Sequence, residues 1–178
     1  MATVNDHAYL VCLTGPECSG KTSTARALAT ALDLPLIGEV AREYLKPGVA
    51  YERTDLVEIA RLQQQAETTV LKNAPAHGLV AIADTDTQVI RIWWQQKYGD
   101  LSDELKAATQ TLTPRRYLLA RPDLPWQPDP LRESEYDRDR LFNLYLSDLE
   151  EGGWPFGVLE GQDRVALALA HIRAWRRV

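Results

Sequence analysis

The sequence of 178 residues lacks the features that mark several large classes of protein. Its two cysteines, Cys12 and Cys18, are too few for a disulfide framework and favour a reducing compartment. No stretch approaches the roughly 18 consecutive apolar residues that a membrane-spanning helix needs. Residues 1–9 also lack the basic and apolar pattern of a signal peptide. We therefore expect a soluble, cytoplasmic protein with no membrane partner.

Basic residues are scarce relative to acidic ones. Lys and Arg total 20 and Asp and Glu total 25, which gives a formal net charge of −5. Proteins that bind nucleic-acid polymers usually carry a basic field, so the charge balance argues against such a partner. The length, with 45% hydrophobic and 25% charged residues, fits one globular domain. We expect residues 1–178 to form it.

Short apolar runs alternate with longer segments of helical period along the chain. Strands are predicted at 8–14, 34–39, 79–84, 116–120 and 156–159. Helices are predicted at 21–32, 54–73, 85–98, 101–112, 136–150 and 163–175. Four prolines between Pro122 and Pro130 exclude helix or central strand there. The pattern predicts an α/β fold with a five-stranded parallel sheet flanked by helices.

The sharpest motif lies between the first predicted strand and the first predicted helix. GPECSGKT at 15–22 fits G-x-x-x-x-G-K-[ST], whose glycines let backbone N–H groups point at phosphates in front of a helix N-terminus. We expect Lys21 to contact the β- and γ-phosphates and Thr22 to bind Mg²⁺. The alternative, a chance glycine-rich turn, is disfavoured by the strand–loop–helix context. The predicted ATP-binding residues here are Gly15, Glu17, Cys18, Ser19, Gly20, Lys21, Thr22 and Thr24.

Acidic residues follow the second and third predicted strands, at the edge where parallel sheets bind ligands. Asp84 closes an apolar run and is a candidate Mg²⁺ ligand, and Asp86 lies two residues beyond it. Glu39 is a candidate base for an acceptor hydroxyl. The alternatives are an N-cap role for Asp84, an ion pair of Glu39 with Arg42 and a solvated carboxylate in the first helical turn for Asp86.

The proline-rich segment after the fourth predicted strand is followed by arginines. We expect residues 121–140 to form a lid in which Arg132 stabilises charge on a transferred phosphoryl group and Arg138 contacts the nucleotide. The alternative for Arg138 and Arg140 is a solvated face with ordinary helix pairs.

Aromatic residues follow two of the acidic positions. Tyr44 follows Glu39, and Trp93, Trp94 and Tyr98 follow the Asp84 strand. Any of these rings is suited to stack on a planar acceptor ring. The alternative is ordinary core packing.

Five segments carry a resemblance that covers nearly the whole chain. They are GPECSGKT at 15–22, EVAREYL at 39–45, ADTDT at 83–87, DLPWQPDPLR at 123–132 and FGVLEG at 156–161. In this order they resemble the P-loop ribosylnicotinamide kinases, as in the kinase domain of NadR-type proteins. The D-x-P-W-x-x-D-x-x-R block is the more specific part, because many P-loop proteins lack it.

The resemblance implies a nucleoside-kinase-like P-loop NTPase fold with ATP and Mg²⁺ as cofactors. It implies transfer of phosphate from ATP to the 5′-hydroxyl of nicotinamide riboside, giving nicotinamide mononucleotide. The catalytic candidates are then Lys21, Glu39, Asp84 and Arg132. The acceptor-side candidates are Glu39, Arg42, Tyr44, Asp86, Trp93, Tyr98 and Asp129.

Two departures and two alternative functions accompany the resemblance. The histidines are His7, His77 and His171, which cannot supply the H-x-G-H-type adenylyltransferase site of NadR-type proteins, so a stand-alone kinase is expected. The lid block reads D-P-L-R where D-G-x-R is expected, and proline stiffens that turn.

A kinase of another nucleoside or nucleoside monophosphate remains an alternative, with Arg42, Arg53 or Arg91 as phosphate contacts. An ATP-binding sensor or switch module is the second alternative function.

Overall fold

Five parallel strands form the centre of the molecule in a computed structural model, which describes residues 7–111, 113–129 and 136–176. The strands are β1 (Ala8–Thr14), β2 (Leu36–Ile37), β3 (Gly78–Asp84), β4 (Arg115–Ala120) and β5 (Phe156–Leu159). Their order across the sheet is β2-β3-β1-β4-β5, and every neighbouring pair is parallel. The carboxyl ends of all five strands therefore meet at one edge, which confirms the predicted sheet.

Helices cover both faces of this sheet. Those in the described residues are α1 (Lys21–Leu32), α2 (Val40–Tyr44), α3 (Arg53–Leu71), α4 (Thr87–Tyr98), α5 (Asp103–Ala108), α6 (Arg138–Glu151) and α7 (Arg164–Trp175). None of these helices combines the length and the apolar character needed to cross a membrane.

Alternate residues of the central strand face two separate cores. Val11 and Leu13 pack in a cluster with Leu28 of α1 and Ile172 of α7. On the opposite face, Leu10 and Cys12 belong to a cluster that includes Ile92 of α4 and Phe142, Tyr145 and Leu149 of α6. This two-residue alternation explains why β1 is apolar throughout, since both of its faces are covered. A third cluster joins α3, α4 and α5.

Several predicted boundaries differ from the structure. The second strand was predicted at 34–39 but ends at Ile37, because Glu39 is the N-cap of α2. Helix α4 begins at Thr87 rather than at residue 85, because the Asp86 carboxylate accepts a hydrogen bond of 3.0 Å from the Gln88 N–H and caps the helix. The helix predicted at 101–112 is shorter and ends at Ala108.

Candidate active site

A cavity of about 1120 Å³ opens at the carboxyl edge of the sheet. Residues 15–23, in the phosphate-binding motif, form one part of its lining. The other part comes from residues between 39 and 51, from α4, from the segment 124–127 and from α6. The fold thus brings the predicted phosphate loop and residues far away in sequence to one cavity.

The phosphate loop has a main-chain conformation that requires glycine at two positions. Gly15 has a φ of +123°, and a Cβ atom there would lie 2.6 Å from the Ala120 carbonyl oxygen of the neighbouring strand. Gly20 has a φ of +79° and is the N-cap of α1, without a capping side chain. The N-terminus of α1 therefore presents N–H groups that no capping side chain covers, as an anion site requires.

Lys21 is folded back onto its own loop. Its Nζ atom donates hydrogen bonds to the carbonyl oxygens of Gly15 at 2.9 Å and Pro16 at 2.6 Å. Burial lowers the pKa of Lys21, while the charges of Glu39 and Asp84 oppose the shift. A phosphate in the loop would compete with two neutral carbonyls for this ammonium group.

Asp84, at the end of β3, keeps one oxygen without a protein partner. Its side chain is 4% exposed, and the Oδ1 atom is buried and receives no hydrogen bond from the described residues. Burial raises the pKa of Asp84, and a hydrogen bond from the Thr22 hydroxyl opposes that shift. The alternative that Asp84 is a helix N-cap is wrong, since Asp86 has that role.

Thr22 and Asp84 fit a Mg²⁺ ion. Mg²⁺ in phosphoryl-transfer sites usually keeps several waters and phosphate oxygens and takes only one or two protein ligands. One hydroxyl and one carboxylate oxygen that lacks a hydrogen bond match this pattern. A cluster of three or more His, Cys, Asp or Glu side chains suited to a metal is absent from the described part of the chain.

Glu39 and Arg42 lie together on the cavity lining. The Arg42 Nε atom is 3.3 Å from Glu39 Oε2, and its Nη1 atom is 3.0 Å from Asp129 Oδ2. The expected alternative of a Glu39–Arg42 pair is therefore present in the structure. Burial tends to lower the pKa of Arg42, but the hydrogen bond to Asp129 and the charge of Glu39 raise it overall. This guanidinium links α2 to the proline-rich segment.

The aromatic candidates separate into two groups. Trp93 lines the cavity, with its ring centroid 6.2 Å from that of Tyr51, which also lines it. Tyr44 and Tyr98 pack in the third core cluster and are not part of the lining. For these two tyrosines, the core-packing alternative describes their position.

Asp86 is held in the core rather than at the cavity. Its side chain is fully buried, and its Oδ2 atom accepts hydrogen bonds of 2.7 Å from both Arg115 and Tyr117. Arg115 also contacts Glu67 at 3.0 Å. Because Oδ1 caps α4, both oxygens already have protein donors. This corrects two expectations, a solvated carboxylate and an acceptor ligand, since the side chain meets neither solvent nor the cavity.

The remaining predicted residues lie near the lid segment or behind the loop. Arg132 falls in residues 130–135, outside the described part of the chain. Arg138 donates a hydrogen bond of 3.0 Å to the Leu124 carbonyl, and its guanidinium lies 5.6 Å from the Trp126 ring centroid. Thr24 is buried in α1 and does not line the cavity.

The proline-rich segment contacts the phosphate loop directly. The Gln127 N–H donates to the Cys18 Sγ atom at 3.2 Å, and that thiol lies 3.3 Å from the Pro125 carbonyl oxygen. Asp123 contacts Arg164 and accepts a hydrogen bond of 2.6 Å from the Gly161 N–H. Residues 123–129 thus connect the turn after β5 and the start of α7 with the phosphate loop and α2.

Sequence reasoning missed several residues of the lining. Tyr51 has no motif around it, and Val49 and Lys46 belong to the same loop. Tyr145 lies in the helix predicted at 136–150 and was not among the candidate site residues. It is 2% exposed but also lines the cavity, and burial raises the pKa of its hydroxyl. A helical period identifies a buried face but does not indicate which part of that face borders a cavity.

Comparison with known proteins identifies the fold. A family model described as an AAA domain matches residues 10–164. The crystal structure of NadR protein in complex with NR has a TM-score of 0.72 at 20% identity, covering 97% of this chain and 52% of that chain. The NadR complex with NAD and AMP-PNP has a TM-score of 0.70 at 19% identity, covering 97% and 50%.

A thymidylate kinase structure is similar to this chain over nearly its whole length. Thymidylate kinase from Ehrlichia chaffeensis has a TM-score of 0.62 at 14% identity, covering 96% of this chain and 98% of that chain. These likenesses confirm the nucleoside-kinase-like P-loop fold and agree with the resemblance drawn from the motifs. The chain spans about half the length of the NadR structures. No curated protein matches the sequence.

Proposed function

The chain belongs to the AAA-domain family, and from this premise we propose that it is an ATP-dependent kinase of nicotinamide riboside. The product of 5′-phosphorylation is nicotinamide mononucleotide. The observation that carries the proposal is the single cavity in which the phosphate loop faces Glu39, Arg42 and Trp93. The solved NadR complexes with NR and with AMP-PNP, which share the fold, support it. We further propose that residues 1–178 act as one cytoplasmic domain.

On the donor side, the phosphate loop binds the ATP phosphates. The N–H groups at the start of α1 face the phosphate oxygens, and Lys21 exchanges its two loop carbonyls for the β- and γ-phosphates. Thr22 and Asp84 would hold Mg²⁺, which would supply positive charge to offset that of the ATP phosphates. We keep Arg132 as a charge-stabilising lid residue and Arg138 as a nucleotide contact.

On the acceptor side, Glu39 removes the proton from the 5′-hydroxyl. The hydroxyl oxygen forms a bond to the γ-phosphorus, the bond from that phosphorus to the β–γ bridging oxygen breaks, and ADP leaves. The proton passes to a Glu39 carboxylate oxygen. Because Arg42 contacts both Glu39 and Asp129, it orients the base. Catalysis consists mainly of positioning and charge stabilisation.

The contacts of three arginines favour a nucleoside over a nucleoside monophosphate as the acceptor. The three arginines considered for an acceptor phosphate are all engaged elsewhere. Arg42 pairs with Glu39 and Asp129, Arg91 pairs with Asp148, and the Arg53 guanidinium lies 4.8 Å from the Tyr98 ring centroid. A monophosphate bound by one of these three arginines would have to disrupt the contacts of that arginine. A pyridinium nucleoside instead brings positive charge towards the Trp93 ring, and aromatic faces attract cations.

The test is ADP release from ATP–Mg²⁺ with a panel of acceptors. The panel contains nicotinamide riboside, common nucleosides, their monophosphates and a sample without acceptor. We expect selective turnover with nicotinamide riboside and its loss when a chelator removes Mg²⁺. Selective turnover with another acceptor would keep the kinase and reject the substrate. ATP binding without acceptor-dependent turnover would favour a sensor or switch module.

A further inference from the structure

A chain of buried and part-buried hydrogen bonds joins β1, α4 and α6 next to the cavity. The Thr14 hydroxyl donates to the Gln88 side-chain oxygen at 2.7 Å, and the Gln88 amide nitrogen donates to Asp148 Oδ2 at 2.8 Å. Arg91 donates to the other Asp148 oxygen. None of these four side chains belongs to the cavity lining.

The position of Gln88 suits an amide and no other side chain of similar size. Gln88 is 2% exposed and Thr14 is fully buried, so the polar atoms of the pair have no water to replace their partners. An amide accepts at one end and donates at the other, which matches a hydroxyl donor on one side and a carboxylate on the other. Glutamate would place a second carboxylate against Asp148. Leucine would remove the hydrogen bonds that Gln88 makes to the Thr14 hydroxyl and to Asp148 Oδ2.

Thr14, Gln88 and Asp148, which these hydrogen bonds join, each lie close in sequence to a residue that lines the cavity. Thr14 directly precedes Gly15 of the phosphate loop, and Gln88 directly precedes Val89 of α4. Asp148 lies one turn beyond Tyr145 on α6. The single amide of Gln88 therefore connects the donor loop with the two helices that contribute to the other part of the lining.

We propose that Gln88 is a positioning residue, which fixes the phosphate loop relative to α4 and α6 through Thr14 and Asp148. The inference rests on the proposed kinase function. Its physical basis is that phosphoryl transfer depends on the alignment of donor and acceptor, so that a displacement of about 1 Å costs on the order of 10²-fold in rate. Gln88 touches neither substrate and acts only through its two partners.

The first experiment compares Gln88→Leu and Gln88→Glu with the same changes at Gln95. Gln95 is an exposed residue of the same helix and lies outside the cavity lining, which makes it a matched control. We expect kcat to fall about 10- to 100-fold for both Gln88 variants, with a smaller change in the KM for ATP. The Gln95 variants should keep the wild-type kcat. Turnover is measured well below the midpoint of thermal unfolding of each variant.

A paired substitution tests the direction of the hydrogen bonds. In the double variant Gln88→Glu with Asp148→Asn, the new carboxylate accepts from Thr14 on one side and from the asparagine amide on the other. We expect this double variant to recover most of the turnover that Gln88→Glu loses. A double variant no more active than Gln88→Glu would count against the proposal.

The outcomes separate positioning from stability and from failure of the proposed function. A Gln88→Leu variant with a lower unfolding midpoint but the wild-type kcat would overturn the inference. If the wild-type protein itself has no acceptor-dependent turnover, the kinase proposal fails, and amide hydrogen exchange decides the inference. Faster exchange of residues 15–20 in Gln88→Leu than in Gln95→Leu supports positioning, and equal exchange overturns it.

Discussion

The phosphate loop and the acceptor-side residues line one cavity, but the chain builds them in different ways. The loop is a continuous segment, residues 15–22, whose shape depends on main-chain angles and on hydrogen bonds that Lys21 makes to its own loop. The proposed acceptor-side residues Glu39 and Trp93, and the lining residues Tyr51 and Tyr145, come from four separate places in the sequence. They contribute side chains, and the packing of the helices and loops that carry them determines their relative positions.

This difference explains why the phosphate loop and the rest of the cavity lining do not carry the same information about function. A local backbone structure is encoded by a few neighbouring residues, and any nucleotide triphosphate presents the same phosphates to it. A side-chain surface changes with single substitutions, so it can be adapted to different acceptors on one fold. The donor chemistry therefore follows from the loop, whereas the acceptor is a property of the helices around it.

The largest expected effect is on the donor side. Lys21→Ala removes the ammonium group that we propose contacts the β- and γ-phosphates, and we expect kcat to fall about 10²- to 10³-fold, as when one charge-stabilising donor is removed. Lys72→Ala, at an exposed position after α3, is the control. The ADP-release assay and circular dichroism measure activity and folding. Wild-type turnover in a folded Lys21→Ala protein would reject the phosphate-loop assignment.

A smaller effect on turnover is expected when Glu39 is changed. Glu39→Gln keeps the size of the side chain but removes the proposed base, so we expect kcat to fall about 10²-fold. The dissociation constant for ATP should stay unchanged, because Glu39 is assigned to the acceptor. Glu43→Gln, exposed on the same short helix, controls for the loss of a carboxylate. An equal loss of ATP affinity would argue against an acceptor-side role for Glu39.

The smallest effect is expected from the aromatic part of the lining. Trp93→Ala should raise the KM for the acceptor up to about tenfold, since an aromatic contact contributes about 0.5–1.5 kcal/mol beyond area burial. The KM for ATP should not change. Trp175→Ala, also half-buried but on α7, is the control. If the two variants behave alike, Trp93 has no specific contact with the acceptor.

The sequence predicted the sheet better than the site. Ala8–Thr14, Lys21–Leu32 and Phe156–Leu159 have the predicted boundaries, because buried parallel strands are apolar throughout and a glycine motif marks the start of the first helix. Helix α2, at Val40–Tyr44, was missed. Its length of 5 residues is too short to show a helical period.

The different positions of Asp84 and Asp86 could not be predicted from the local sequence. Asp84 and Asp86 lie two positions apart, and the sequence suggested related roles for them. A change of backbone direction at Thr85, which has a φ of +72°, separates them. Asp84 lies beside Thr22, whereas Asp86 meets Arg115 and Tyr117 of β4. Because these partners are distant in sequence, no local pattern indicated which of the two carboxylates is buried in the core.

The close approach of Gly15 to the Ala120 carbonyl has a consequence for tracing the history of this fold. A side chain at position 15 would push apart two central strands as well as reshape the loop. A descendant that lost its enzymatic activity but kept its fold would still be constrained to glycine there. Glycine at this position is thus required by the architecture, and the residues at positions 21 and 39 are the better markers of whether a descendant still catalyses the proposed reaction.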